Sequence, residues 1–280
     1  MRIYVSIDAE GLPGIFHPEH LAPKRALFDE MRRVMSAVVQ TVVDTLLGLG
    51  VESIWVADSH GFMGNIPIDK VPKNVVLVRG CLRPIAMVYG IDKGFDGAMF
   101  LGYHSAAGTQ YSVLEHTMSG RAFFEIRVNG RRASEFYLNA LVAGHFGVPV
   151  VLVMGDDKLR HDVETIAPWV IYVETKSSIS RYAIVSKSLD RVLEELREAI
   201  PKAIDRIRNG EAKPLHIETP IALEVVFRYS EYADAAENIP GVERIDAYTV
   251  KYIASDPVKA LKMIELMALL AYAVDNLRTL

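Results

Sequence analysis

The sequence predicts an α/β fold: a mostly parallel sheet covered by helices on both faces, with a smaller C-terminal α+β lobe. Three observations carry this. Over residues 1–187, short apolar β-branched runs alternate with segments of helical spacing. The runs are apolar at consecutive positions, as expected of parallel strands buried on both faces. After Lys187 the alternation gives way to one long amphipathic segment, two β-like stretches and a closing helix. The expected organisation is a body over 1–187 and a lobe over 188–280, in a chain of 280 residues, a length that suits one large α/β domain or about two units.

The elements follow in order. Residues 2–7 (RIYVSI) form a first buried strand that ends in Asp-Ala-Glu-Gly and a Pro/Gly-rich loop. Residues 24–49 have helical spacing, and Gly48 and Gly50 supply the stop. Strands are expected at 53–57, 75–78 and 97–101, with a short helix at 84–89. Residues 122–128 read as a strand entering a tight Asn129-Gly130 turn. Ser134 caps a helix that runs to Phe146. A strong strand at 148–154, a helix through Ile166 and a strand at 169–173 complete the body. The lobe has a long helix at 189–208, β-like stretches at 217–228 and 247–253, and a helix at 257–277.

Composition excludes several classes. Lys+Arg is 31 and Asp+Glu is 35, a net charge of −4. With no basic block, this argues against nucleic acid or an anionic membrane as partner. The most apolar segment, 263–274, is interrupted by Glu265, so no membrane span is expected. Asp8 and Glu10 arrive too early for a secretory signal. The single cysteine, Cys81, excludes a disulfide framework and a thiolate metal site within one chain. The expectation is a soluble cytoplasmic protein. No nucleotide-binding glycine loop, nucleophile elbow or H-E-x-x-H helix is present.

The polar residues at the strand ends carry the functional information, because ligands of open parallel sheets bind outside the carboxyl ends of the strands. The first strand delivers Asp8 and Glu10, the second Asp58 and His60, and the fourth His104. Glu135 opens a helix after the Asn-Gly turn, and His116 lies in the polar loop after His104. Carboxylates and imidazoles together suit zinc or manganese. Asp8 and Glu10 are two apart and point the same way on a regular strand. One of them can then bridge two ions while the other holds one, giving the two-metal clamp of many hydrolases.

Each residue also has a plainer explanation. A strand-end Asp often caps a helix or forms a turn, and a strand-end His is often structural. Asp156 and Asp157 either extend the site or cap the helix that follows. His145 suits the C-terminal dipole of its helix, and His17, His20, His161 and His216 read as bystanders. It is the convergence of three successive strand ends that favours a metal site.

With these residues aligned, the chain resembles the zinc-dependent D-aminopeptidase family of the DppA type. The matching pieces run in order: Ser6-Ile7-Asp8-Ala9-Glu10-Gly11, Asp58-Ser59-His60, Gly102-Tyr103-His104, His116-Thr117-Met118, and Glu135 with Leu138-Asn139-Ala140. Val148-Pro149-Val150, Gly155-Asp156-Asp157 and Ile179-Ser180-Arg181 also fit. The resemblance implies two zinc ions per chain. Asp8 would bridge them, Glu10 and His60 would complete one site, and His104 and Glu135 the other. His116 would be the catalytic histidine and not a ligand. It further implies a homo-oligomer of ten subunits in two rings, acting on the N-terminal bond of short D-amino-acid peptides. Two positions depart from the family pattern, Ser134 where glycine precedes the acid and Glu115 where a small residue precedes the histidine; neither removes a ligand.

The expected mechanism is hydrolysis by a hydroxide formed on two divalent ions, with His116 moving a proton or stabilising developing charge. The alternatives are a two-metal phosphoesterase, for which Arg83 and Arg121 are the sequence candidates to face a phosphate, and a non-catalytic, metal-stabilised assembly protein. Asp156 or Asp157 is a candidate carboxylate for a substrate α-amine.

Overall fold

The computed structural model describes residues 1–277. Its main layer is a seven-stranded sheet built from β1 (Arg2–Ile7), β2 (Ser53–Asp58), β3 (Val75–Val78), β4 (Gly97–Tyr103), β7 (Val150–Asp156), β8 (Ile171–Ser180) and β9 (Ala183–Ser186). The strand order is β3-β2-β1-β4-β7-β8-β9. All neighbours are parallel except the β8–β9 pair. From β1 the chain winds outward to β2 and β3, then returns to place β4 on the other side of β1. The ends of β1 and β4 therefore form a topological switch point, where the loops diverge and leave a crevice.

Helices cover both faces. α1 (Phe28–Gly48) and α4 (Leu189–Arg208) bury one face, with Met31, Met35, Val38 and Val42 meeting Val192, Leu196 and Ile200 in a common core. The three-and-four spacing of those residues is why both segments are helices. α2 (Glu135–His145) and α3 (Asp157–Ile166) cover the other face. A second, antiparallel sheet has the order β11-β12-β10-β5-β6. It comprises β5 (Phe123–Val128), β6 (Arg131–Arg132), β10 (Ile221–Phe227), β11 (Val242–Arg244) and β12 (Thr249–Ala254), packed by α5 (Ser230–Ala236) and α6 (Pro257–Leu277).

α2 joins the two layers. Phe136, Ala140 and Ala143 face the first sheet, and Tyr137, Leu138 and Leu141 face the second. A helix buried by both layers has no polar face to show. The Asn129-Gly130 turn has positive φ at both residues, 49° and 78°, the geometry that suits a two-residue hairpin. That hairpin feeds α2, whose N-cap Ser134 accepts the Tyr137 N–H.

The layers do not part at residue 187 as the sequence suggests. β5 and β6 belong to the second sheet, and α4 packs on the first. Burial chose these partners: an amphipathic helix and a hairpin dock wherever their apolar faces are covered, irrespective of chain order. The helix expected at 84–89 reduces to one tight turn, Ala86–Val88, because Ile85 and Ala86 adopt positive φ of 55° and 38°. β4 runs two residues beyond the expected end. β8 runs through the polar stretch that sequence patterning ends at Val173, pairing there with β9.

Candidate metal centre

Five strand-end and helix-end residues meet at the switch point, with His116 beside them. Strand pairing fixes the first: the Asp8 amide donates to Leu101 O at 2.8 Å and the Gly11 amide to Gly102 O at 2.7 Å. The two backbones touch here. A Cβ on Gly102 would lie 2.1 Å from Asp8 O, and one on Gly11 would lie 1.9 Å from Tyr103 O, so only glycine permits the approach.

Behind this loop stands Lys176, 1% exposed. Its ammonium donates to the carbonyls of Glu10, Leu12 and Ile15, and Thr175 donates to Gly11 O at 2.7 Å. Burial lowers the Lys176 pKa to about 7, against the pull of Asp156, Glu10 and Asp8. Three carbonyls thus convert a costly buried cation into a clamp on the ligand loop.

The three histidines share one arrangement. His60 donates from Nε2 to Leu21 O at 2.9 Å, His104 from Nδ1 to Ser105 O at 2.9 Å, and His116 from Nδ1 to Leu114 O at 3.0 Å. A carbonyl only accepts, so each of these nitrogens carries the proton. The opposite nitrogen of each ring faces carboxylates. His60 Nδ1 is 3.2 Å from Asp8 Oδ1 and 2.9 Å from Glu10 Oε2. His104 Nε2 is 3.5 Å from both Asp8 Oδ2 and Glu135 Oε2. His116 Nε2 is 3.5 Å from Glu135 Oε1, and its ring stacks on His104 at 4.3 Å.

The charges set each other. Burial, then Glu10, push the Asp8 carboxyl up to about 8. Burial opposes the charge on Glu10, but His60 and then His116 and His104 hold it well below its ordinary value. His104 likewise outweighs burial at Glu135 and lowers it. In return, and against burial, Glu10 and Asp8 raise His60, and Glu135 raises His104 to about 10. Without a metal, then, protons on the imidazoles neutralise the carboxylates.

The cluster passes a direct test for a cation. Asp8 Oδ2 and His104 Nε2 are buried and lack a hydrogen-bond partner, and Glu10 Oε2 beside them meets only the His60 ring. Buried acceptors are rarely left so, and here they converge. Ligand atoms of Asp8, Glu10 and His104 lie within 4.8 Å of one another, as do those of His104, His116 and Glu135. His116 therefore stands within a candidate ligand group as well as beside it.

The remaining sequence candidates separate from the site. Asp58 accepts the Asn65 and Ile66 amides and shapes the turn after His60. Asp156 caps α3, accepting from Lys158, Leu159 and Ser105 amides at 2.9, 2.8 and 3.1 Å; the capping explanation is the one the structure bears out. Asp157 accepts the Ser178 amide at 2.9 Å. Neither lines the cavity onto which the centre opens. Arg83 spends its guanidinium on the carbonyls of Ala86, Val78 and Asp58, and Arg121 pairs with Asp275, so the phosphate-facing arginines of the alternative enzyme are absent from the centre.

The centre opens into a cavity of about 560 Å³, whose apolar wall includes Met63, Leu82, Met87, Leu269 and Tyr272. Sequence patterning missed Lys176 and the α6 residues of this wall. Lys176 sits in a polar strand end like many surface lysines, and Leu269 and Tyr272 are apolar residues of an apolar helix. Neither pattern signals a site.

A switch-point α/β scaffold with buried carboxylates and imidazoles around unpartnered acceptors has the build of a metallohydrolase. A family model described as D-aminopeptidase matches residues 1–266. A D-aminopeptidase of Bacillus subtilis (strain 168) is 31% identical over 275 residues, covering 97% of this chain and 98% of the relative. A solved structure described as the Zn-dependent D-aminopeptidase DppA from Bacillus subtilis, a self-compartmentalizing protease, superimposes with a TM-score of 0.92 at 30% identity, covering 97% and 98% of the two chains. The chain belongs to the D-aminopeptidase family.

Proposed function

We propose that the chain is a metal-dependent aminopeptidase that hydrolyses the N-terminal peptide bond of short peptides, with D-residues preferred. Asp8, Glu10, His60, His104 and Glu135 would hold two zinc ions. The observation that carries this is the splitting of Asp8: one carboxylate oxygen faces His60 at 3.2 Å and the other faces His104 at 3.5 Å, the geometry of a bridging ligand. Zinc supplies polarisation of the scissile carbonyl and acidification of a water molecule.

The chain's own residues supply the rest. Asp8, Glu10, His60, His104 and Glu135 are all under 7% exposed, and they exclude bulk water from the floor of the cavity. His116 is the exception at 19% exposure. Its Nδ1 proton is fixed by Leu114 O, so Nε2, beside Glu135, is the atom that takes and returns a proton or meets developing charge. Met63, Met87 and Leu269 offer an apolar seat for the substrate's first side chain.

The protein acts as a homo-oligomer, for which a ten-subunit double ring is the specific form proposed. Exposed Leu266 and Leu277 on α6, at 46% and 65%, support an apolar contact there. No described helix is long and apolar enough to cross a membrane, and a cytoplasmic setting suits the lone free Cys81. The test is metal content per chain measured alongside turnover of paired L- and D-alanyl dipeptides. Cleavage of the D-peptide that requires bound metal is expected; metal-independent cleavage, or none, refutes the reading.

A further inference from the structure

A second cavity of about 690 Å³ adjoins the metal pocket, and Gly120 lines both. They meet at the loop that carries His116. A Cβ on Gly120 would stand 3.2 Å from the His116 Cβ, and with glycine there no side chain projects between the two cavities. On the far side lie three guanidinium groups, Arg121, Arg181 and Arg228, and two carboxylates, Glu115 and Asp275.

The charges do not cancel. Arg181 pairs with Glu115 and also donates to its carbonyl at 3.1 Å. Arg121 pairs with Asp275 and lies 5.6 Å over the Tyr272 ring. Arg228 is exposed, and only its backbone amide is engaged, by Ala122 O at 3.0 Å. Its guanidinium makes no ion pair or hydrogen bond among the described residues. One fork of donors thus borders this cavity, and a guanidinium suits a carboxylate.

An aminopeptidase substrate places its free amine end at the metal pocket and runs outward past the scissile bond. Each further residue advances the chain by about 3.3–3.6 Å. One or two further residues thus carry the C-terminal carboxylate of a di- or tripeptide roughly 3–7 Å beyond its first residue, toward the cavity that meets the metal pocket at Gly120. We propose that this cavity is a carboxylate subsite in which Arg228, with Arg121 at its edge, binds the C-terminus of a short peptide and so selects for peptide length. The inference rests on the aminopeptidase reading.

The test uses the metal-loaded full chain and two substrates, a D-alanyl dipeptide with a free C-terminal carboxylate and the same peptide as its amide. For the wild type, kcat/KM is expected to favour the free acid by about tenfold to a hundredfold, the usual worth of a charged hydrogen-bond pair. Arg228→Gln should erase that preference by raising KM for the free acid, with metal content and oligomer mass unchanged, and Arg228→Lys should restore part of it. Equal turnover of acid and amide by the wild type, an equal loss on both in Arg228→Gln, or a change of oligomer mass in that variant overturns the subsite while leaving the aminopeptidase reading intact. Absence of cleavage of either peptide by the wild type overturns that reading and the subsite with it.

Discussion

The two corners of the metal centre use the same chemistry on unlike supports. In the first, His60 stands 3.2 Å from Asp8 and 2.9 Å from Glu10. All three lie at or just past strand ends, and Lys176 clamps the loop behind them. In the second, His104, Glu135 and His116 stand at 3.5 Å. They come from a strand end, the first turn of α2 and a loop. The tight corner is built to hold. The looser one holds and also presents a histidine to the cavity. On the proposed function, the difference sets the fixed support at the corner that would hold an ion and the more exposed group where a proton would move.

Removing His116 breaks the comparison most sharply. His116→Ala should lower kcat by roughly 10²–10⁴ with both metals retained, the range for losing a positioned acid–base group. Steady-state kinetics with metal analysis separates the outcomes. Loss of one metal would make His116 a ligand, in keeping with its place beside His104 and Glu135. An unchanged rate would make it a bystander.

A smaller effect is expected at the clamp. Lys176→Met removes three donors from the loop carrying Glu10. Metal affinity at the first corner should fall by about 10–100-fold, as for other supporting partners of ligands, with the second corner nearly unaffected. Competition with a chelator would show two unequal affinities where the wild type shows closer ones. Equal weakening of both sites would mean that Lys176 supports the fold and not the corner.

The smallest effect is in pH. The metal-free centre holds His60 and His104 protonated well above the ordinary imidazole range. Metal must displace those protons, so zinc loading at neutral pH should release protons and weaken as pH falls. For the metal-free chain, raised folded values at His104 and Asp8, about 10 and about 8, mean stability present at lower pH and lost as pH rises through them. Lys176, lowered to about 7, acts in the opposite sense over the same range, so the check is made in Lys176→Met, where stability of the metal-free chain should fall between neutral pH and about pH 10; a flat profile in that variant would contradict the charge balance described here.

What the sequence revealed follows from where the ligands sit. Asp8, Glu10, His60 and His104 terminate buried apolar runs, and a parallel sheet gathers such ends at one edge. Glu135 and His116 show in the sequence only as an acid at a helix start and a histidine in a polar loop; their roles rest on resemblance to a family, because a helix start and a loop have no fixed place relative to a sheet. Asp156 has the same strand-end position as Asp8 yet caps α3, since three amides were nearer than any cation. The membership of β5 and β6 in the second sheet was illegible, as strand pairing is settled by packing between distant segments. Arg228 reads as any exposed arginine until the cavity around it is known.

The central claim is that Asp8 serves both corners, and metal content per chain in Asp8→Ala, measured beside His60→Ala and Glu135→Gln, tests it most directly. Each corner variant should lose mainly one of two ions, and Asp8→Ala should lose both while remaining folded by circular dichroism. Full metal content in Asp8→Ala, or loss of a single ion only, would contradict the bridging role.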